Sequence, residues 1–183
     1  VIRKKQVLNV KYQINLSLNK TDLNYTGKTT IHFDFIRTEE ENLMIDFITN
    51  EITLLIINGK SSPKYKKDDY WLYIPTSLLN IGKNEIVIEY INTYNNTGSG
   101  FHRFVDSEDS EVYIHTDFEP YDAHRLFPCF DQPDLKAKYK LSVTGPEEWS
   151  FIHNTVSENE SSNDGFNTVI FKETALFSTY IFA

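Results

Sequence analysis

Two acids two positions apart, in Glu111-Val112-Tyr113-Ile114-His115-Thr116-Asp117-Phe118-Glu119-Pro120, are the groups of this chain best placed to act together. The stretch reads as a strand, whose alternation puts Val112, Ile114, Thr116 and Phe118 on one face and Tyr113, His115, Asp117 and Glu119 on the other. At about 3.3 Å per residue the two carboxylates lie roughly 6–7 Å apart and can jointly engage one cation. An α-ammonium group suits the pair, because its pKa of about 8 leaves it mostly protonated at neutral pH and able to donate charge-assisted hydrogen bonds. Spacing leaves two other readings open: a solvated strand end whose acids pair with Arg125 or Arg103, and a calcium site, for which two carboxylates are few.

The next residues, 121–134, read as a loop that must hold this strand end in place. Asp122 can cap a single helical turn, Pro128 stops it, and Asp131-Gln132-Pro133-Asp134 turns the chain. Phe127 and Phe130 are expected to pin the loop to the core, and Arg125 with Asp131 to form an internal ion pair that fixes its shape. Cys129, between Pro128 and Phe130, reads as a buried, inert thiol, since no base-orienting constellation lies nearby. His102, His115 and His124 read as satisfied or solvated histidines. Trp71 and Trp149 read as core or edge packing, and Lys64, Lys66 and Lys67 as a solvated hairpin tip.

The supporting elements are strands. Val10, Tyr12, Ile14, Leu16 and Leu18 alternate with polar residues, and Thr29, Ile31, Phe33 and Phe35 repeat the pattern. Apolar runs at 43–48 and 52–57 lead into Asn58-Gly59, a strong hairpin signal, with a further strand at 70–74. Leu78-Leu79 reads as a brief helical turn, and 85–94 as a central strand because both its faces carry bulk. Residues 95–100 form an internal loop. Later strands are expected at 112–118, 136–143, 149–155, 168–172 and 178–182, with a polar hairpin tip at 157–166. Short strands at regular spacing with almost no helical period predict an all-β, mainly antiparallel, sandwich-like domain with one short helical turn, occupying 1–183.

Composition narrows the class further. A domain of 183 residues buries roughly 70% of its unfolded surface and needs no staples. The 13 Phe and 11 Tyr favour pleated, half-buried strands. A net charge of -8 argues against nucleic acid and anionic membrane surfaces as partners. A single cysteine forms no intramolecular disulfide, no apolar run approaches the ~18 residues of a membrane span, and Val1-Ile2-Arg3-Lys4-Lys5 does not read as a secretory signal. These features point to the cytoplasm and leave the periplasm open. The Asn-X-Ser/Thr triplets at Asn15, Asn19, Asn24, Asn95 and Asn159 are what chance yields in so Asn-rich a chain.

Asp117-Phe118-Glu119-Pro120-Tyr121-Asp122-Ala123-His124-Arg125, followed by Phe127-Pro128-Cys129-Phe130-Asp131-Gln132-Pro133, resembles the N-terminal domain signature of the M1 zinc aminopeptidases of aminopeptidase N type. Gly100-Phe101-His102-Arg103-Phe104 and Ser178-Thr179-Tyr180-Ile181-Phe182-Ala183 look like its flanking stretches, so the likeness spans nearly the whole chain. The resemblance implies a saddle-shaped β-domain that packs on a downstream, thermolysin-like zinc domain and reaches a loop into its active site. It implies that Glu119 helps hold the free amino group of a peptide substrate, and that Asp117 lines the pocket for the first side chain, where many members carry glutamine. Some members with aspartate there prefer acidic first residues with calcium. The family's zinc motif, His-Glu-x-x-His, is absent: no two of His32, His102, His115, His124 and His153 lie four residues apart. The Gly-x-Met-Glu-Asn motif that completes amine binding is absent too, since the only methionine is Met44. The segment alone is therefore expected to carry no catalytic site and no cofactor, with zinc in the parent enzyme. The alternative is a non-catalytic, M1-like scaffold or protein-interaction domain.

Overall fold

Alternating apolar residues become alternating buried residues along most of the long strands. The computed structural model describes residues 3–36, 39–62 and 64–183. Strand β1 (Val7–Ser17) buries Val10, Tyr12, Ile14 and Leu16 and exposes the residues between them, and β2 (Asn24–Phe35) buries Ile31, Phe33 and Phe35. The chain continues through β3 (Asn42–Asp46), β4 (Glu51–Ile57), β5 (Lys60–Ser61), β6 (Lys66–Lys67), β7 (Trp71–Pro75), β8 (Gly82–Thr93), β9 (Gly100–Val105), β10 (Val112–Asp117), β11 (Lys138–Pro146), β12 (Ser157–Asn163) and β13 (Phe166–Phe171).

These strands form an eight-stranded sheet in the order β12-β13-β11-β1-β2-β8-β4-β5, a three-stranded sheet β3-β7-β6 and a two-stranded ribbon β10-β9. Pairing is mainly antiparallel, while β1 and β11 run parallel with Tyr12 opposite Tyr139 and Ile14 opposite Leu141. β8 lies between β2 and β4, the central place its two bulky faces predict. One hydrophobic core joins the sheets: Leu43, Ile45, Leu72 and Ile74 of the smaller sheet are buried in it with Ile31, Ile86 and Ile88 of the larger. Each such side chain contributes roughly 1.5–3 kcal/mol. Asn58 and Gly59 both take positive φ, 50° and 76°, as a two-residue hairpin between β4 and β5 requires. Gly27 faces Tyr90 across the β2–β8 ladder, and the tyrosine ring fills the space a Cβ would need, with its Cζ only 2.2 Å from the ideal position.

Three expectations are corrected. Residues 178–182 are not a strand but a 3-10 turn, Thr179–Ile181, because Ser178 Oγ donates to the Pro133 carbonyl and Thr179 Oγ1 to Asp131. Residues 149–155 belong to no ladder. The polar tip at 157–166 is instead the edge strand β12, exposed throughout and paired with β13, and its turn contracts to Asp164 and Gly165, both at positive φ. Helical structure among the described residues comprises four 3-10 turns: those at Thr76–Leu78 and Ala123–Arg125 fall where short turns were expected, and those at Arg3–Lys5 and Thr179–Ile181 do not. β9 was not anticipated at all.

Candidate functional site

The β9–β10 ribbon carries the two acids. His115 lies opposite His102, Thr116 opposite Phe101 and Asp117 opposite Gly100. On the inner side Phe101 packs against Tyr25 and Tyr94, with ring centroids 5.1 and 5.3 Å away, and Phe118 is buried beside Phe182. These anchors set the hand of the alternation. Tyr113, His115 and Asp117 are accordingly exposed on the outer side, and Glu119, beyond the last ladder pair, is exposed as well. Phe104 stacks on Tyr113 at 5.4 Å and His102 lies 4.8 Å from His115, so the outer face is a row of rings ending at the two carboxylates.

Neither carboxylate is neutralised by the arginines that could have claimed it. Arg125 Nε donates to Asp122 Oδ1 at 2.5 Å, and Arg103 Nη2 donates to the Lys20 carbonyl at 2.7 Å. No side-chain hydrogen bond or ion pair joins the Asp117 or Glu119 carboxylate to any other described residue. The expected Arg125–Asp131 pair is likewise not formed. An arginine three residues from Asp122, across a single turn, reaches that acid first, and Asp122, at the N-cap position, makes no side-chain cap. Asp131 instead binds the His124 ring at 2.7 Å and the Thr179 hydroxyl at 2.6 Å.

Beyond β10 the backbone closes a turn in which the Asp122 amide donates to the Phe118 carbonyl at 3.1 Å and the Glu119–Pro120 peptide is cis. Glu119 projects from this turn. Phe127 and Phe130 pin the following loop as predicted, both fully buried, with Phe127 edge-on to Tyr12 at 5.6 Å and Phe130 edge-on to Phe33 at 5.6 Å. Cys129 is buried, and burial together with the nearby Asp131 and Asp46 carboxylates pushes its thiol well above the usual range, which keeps it protonated and inert.

The residue that sequence reasoning missed is Asp46. Its side chain is fully buried and accepts hydrogen bonds from Arg3, from Trp71 Nε1 at 3.0 Å, from the Tyr121 hydroxyl at 2.7 Å and from the Asp131 amide at 2.8 Å. The signal was present in Leu43-Met44-Ile45-Asp46-Phe47-Ile48: a lone acid inside an apolar run must find donors. Trp71, partly exposed on the central strand β7 of the smaller sheet, thus donates to this carboxylate.

A cavity of about 830 Å³ lies beside β10, lined by Leu16, Leu18, Ile114, Leu141 and Trp149 among others and reaching Tyr113 and His115. Asp117 and Glu119 do not line it. No group of three or more His, Cys, Asp or Glu among the described residues is arranged to hold a metal ion.

The model of the peptidase M1 N-terminal domain matches residues 9–181, nearly the whole chain. The chain belongs to the peptidase M1 family. It is 33% identical over 175 residues to an aminopeptidase N of Streptomyces lividans, covering 94% of this chain and 20% of that protein. A human glutamyl aminopeptidase is 32% identical over 125 residues, 64% of this chain and 13% of the relative. An aminopeptidase N of Acetobacter pasteurianus is 29% identical over 189 residues, covering 98% of this chain and 52% of the relative. The chain thus spans between about an eighth and about half of the length of these relatives.

Proposed function

We propose that this M1 N-terminal domain supplies the amine-binding and first-side-chain part of a zinc-dependent aminopeptidase that removes N-terminal residues from peptides. The observation that carries the reading is a pair of exposed, unpaired carboxylates two positions apart, Asp117 at the end of β10 and Glu119 in the turn that follows it. Glu119 accepts hydrogen bonds from the α-ammonium of a peptide and so fixes the register in which the substrate lies. A peptide with a blocked terminus brings no charge to satisfy it. Asp117 borders the position of the first side chain and biases it toward cations, either a basic side chain or a calcium ion that bridges to an acidic one.

Zinc, held by parts of the parent protein outside this segment, supplies the Lewis acid and the activated water of such an enzyme. The ligands for it are not among these residues, so the segment by itself hydrolyses nothing. Its partners are peptides with a free N-terminus and the downstream catalytic domain on which it packs. The test is Glu119→Ala in the full-length enzyme: loss of a charge-assisted hydrogen bond lowers kcat/KM for free-amine peptides about 10- to 100-fold. Unchanged kinetics reject the anchoring role.

A further inference from the structure

Asp46 binds more of the Glu119 loop than a structural carboxylate needs to. A buried acid requires a counter-charge and enough donors to replace its water shell. Arg3 provides the charge and Trp71 Nε1 one donor at 3.0 Å. The other two donors both come from the loop: the Tyr121 hydroxyl, two residues beyond Glu119, at 2.7 Å on Oδ1, and the Asp131 amide at 2.8 Å on Oδ2. The backbone of the same residue adds a two-way bridge, its amide to the Cys129 carbonyl at 2.8 Å and its carbonyl to the Cys129 amide at 3.1 Å. One residue of β3 therefore holds the loop just after Glu119 and again at its far end.

What lies between these two ties is already fixed by other means. The Ile48 amide donates to the His124 carbonyl, Asn92 Nδ2 to the Arg125 carbonyl, and the Tyr25 hydroxyl to the Arg125 and Leu126 carbonyls. The short turn bearing Glu119 has two anchors close by. Phe118 is sunk in the core on one side, and Tyr121 reaches Asp46 on the other. Tyr121 is itself 39% exposed, so packing alone does not immobilise its ring. The Asp46 bond and contact with the His124 ring, 4.5 Å away, define where it lies.

We infer that Asp46, acting through Tyr121, is a positioning residue for Glu119: it sets the direction of the exposed carboxylate without touching substrate. The inference rests on the amine-anchoring role given to Glu119. Removing either end of the Asp46–Tyr121 bond lets the turn relax, so the anchor is present but misaimed, and substrate binding weakens before the protein unfolds.

The test uses the full-length enzyme with a free-amine peptide substrate and compares Glu119→Ala, Asp46→Asn, Tyr121→Phe and the double variant Tyr121→Phe/Glu119→Ala. Tyr121→Phe keeps the ring and removes one hydroxyl, so it breaks the bond while leaving the buried Arg3–Asp46 ion pair in place. The expected result is a KM raised about 5- to 10-fold by Tyr121→Phe, with a larger rise for Asp46→Asn if it folds. The double variant should match Glu119→Ala alone within about 2-fold, because both changes act through one carboxylate. Losses that multiply in the double variant, or a Tyr121→Phe enzyme with unchanged KM beside a defective Glu119→Ala enzyme, overturn the positioning role and leave the anchor intact. A Glu119→Ala enzyme with unchanged kinetics overturns both.

Discussion

Tyr12 offers a clean probe of what holds the functional loop down. Its ring stacks on Tyr139 at 5.3 Å and meets the edge of Phe127 at 5.6 Å, and its hydroxyl accepts the Phe130 amide at 2.8 Å. Tyr12→Phe preserves both ring contacts and opens no cavity, so its whole effect falls on that hydrogen bond. Phe130 is fully buried, and its amide would be left without an acceptor; an orphaned buried donor costs about 1–3 kcal/mol. At 2–4 °C per kcal/mol for a domain of this size, the melting temperature should drop by roughly 2–12 °C. Thermal and urea unfolding of the wild-type and variant chains measure this, and amide exchange should show residue 130 losing protection ahead of β1 and β11. A variant as stable as the wild type, with residue 130 still protected, would refute the reasoning and show that apolar packing alone secures the loop.

Three further outcomes follow from the same geometry. Burial raises the phenols of Tyr12, Tyr25, Tyr90 and Tyr139 above their usual value of 10.0. Their contribution is complete below the unfolded value and is lost as pH climbs past about 10, where the unfolded chain ionises and the native one does not, so a pH titration of stability should decline steeply there while native phenolate absorbance lags behind. For the parent enzyme, the carboxylate of Asp117 predicts a preference for basic first residues, or for acidic ones with calcium; a substrate panel with and without chelator tests this, and a flat preference for neutral side chains under both conditions counts against it. Glu119→Gln should recover only part of the Glu119→Ala loss, since an amide oxygen accepts a hydrogen bond but brings no charge; recovery to wild-type kcat/KM would make the anchor's charge irrelevant.

Much of this architecture could be read from letters alone because burial follows alternation. Val10 to Leu16, Ile31 to Phe35, and Ala137 to Val143 each show a two-residue period, and each lies as read. β12 escaped notice because Ser-Glu-Asn-Glu-Ser-Ser-Asn is polar on both faces; an edge strand stabilised by backbone pairing to β13 leaves no apolar period. At 178–182 the letters Thr-Tyr-Ile-Phe favour a strand, yet the Ser178 and Thr179 hydroxyls find the loop at Pro133 and Asp131 and wind the segment into a turn. Residues 149–155 carry strand-like letters too, but a strand needs a neighbour, and the sequence does not say whether one is in reach. At the site, the exposed side of β10 was legible as a simple parity rule. Arg125 was misassigned because spacing cannot rank two acids that are both within reach, and the turn settles the contest in favour of Asp122. Asp46 is 73 positions from Glu119 in sequence, so its grip on Tyr121 is a tertiary fact that no local pattern encodes.

A structure of the parent enzyme with a free-amine peptide analogue bound offers the sharpest check. The account predicts the ligand's α-nitrogen at about 2.7–2.9 Å from a Glu119 carboxylate oxygen, with the Tyr121–Asp46 bond intact beneath it. An α-nitrogen held wholly by other groups, with Glu119 turned to solvent or joined to an arginine, would contradict it.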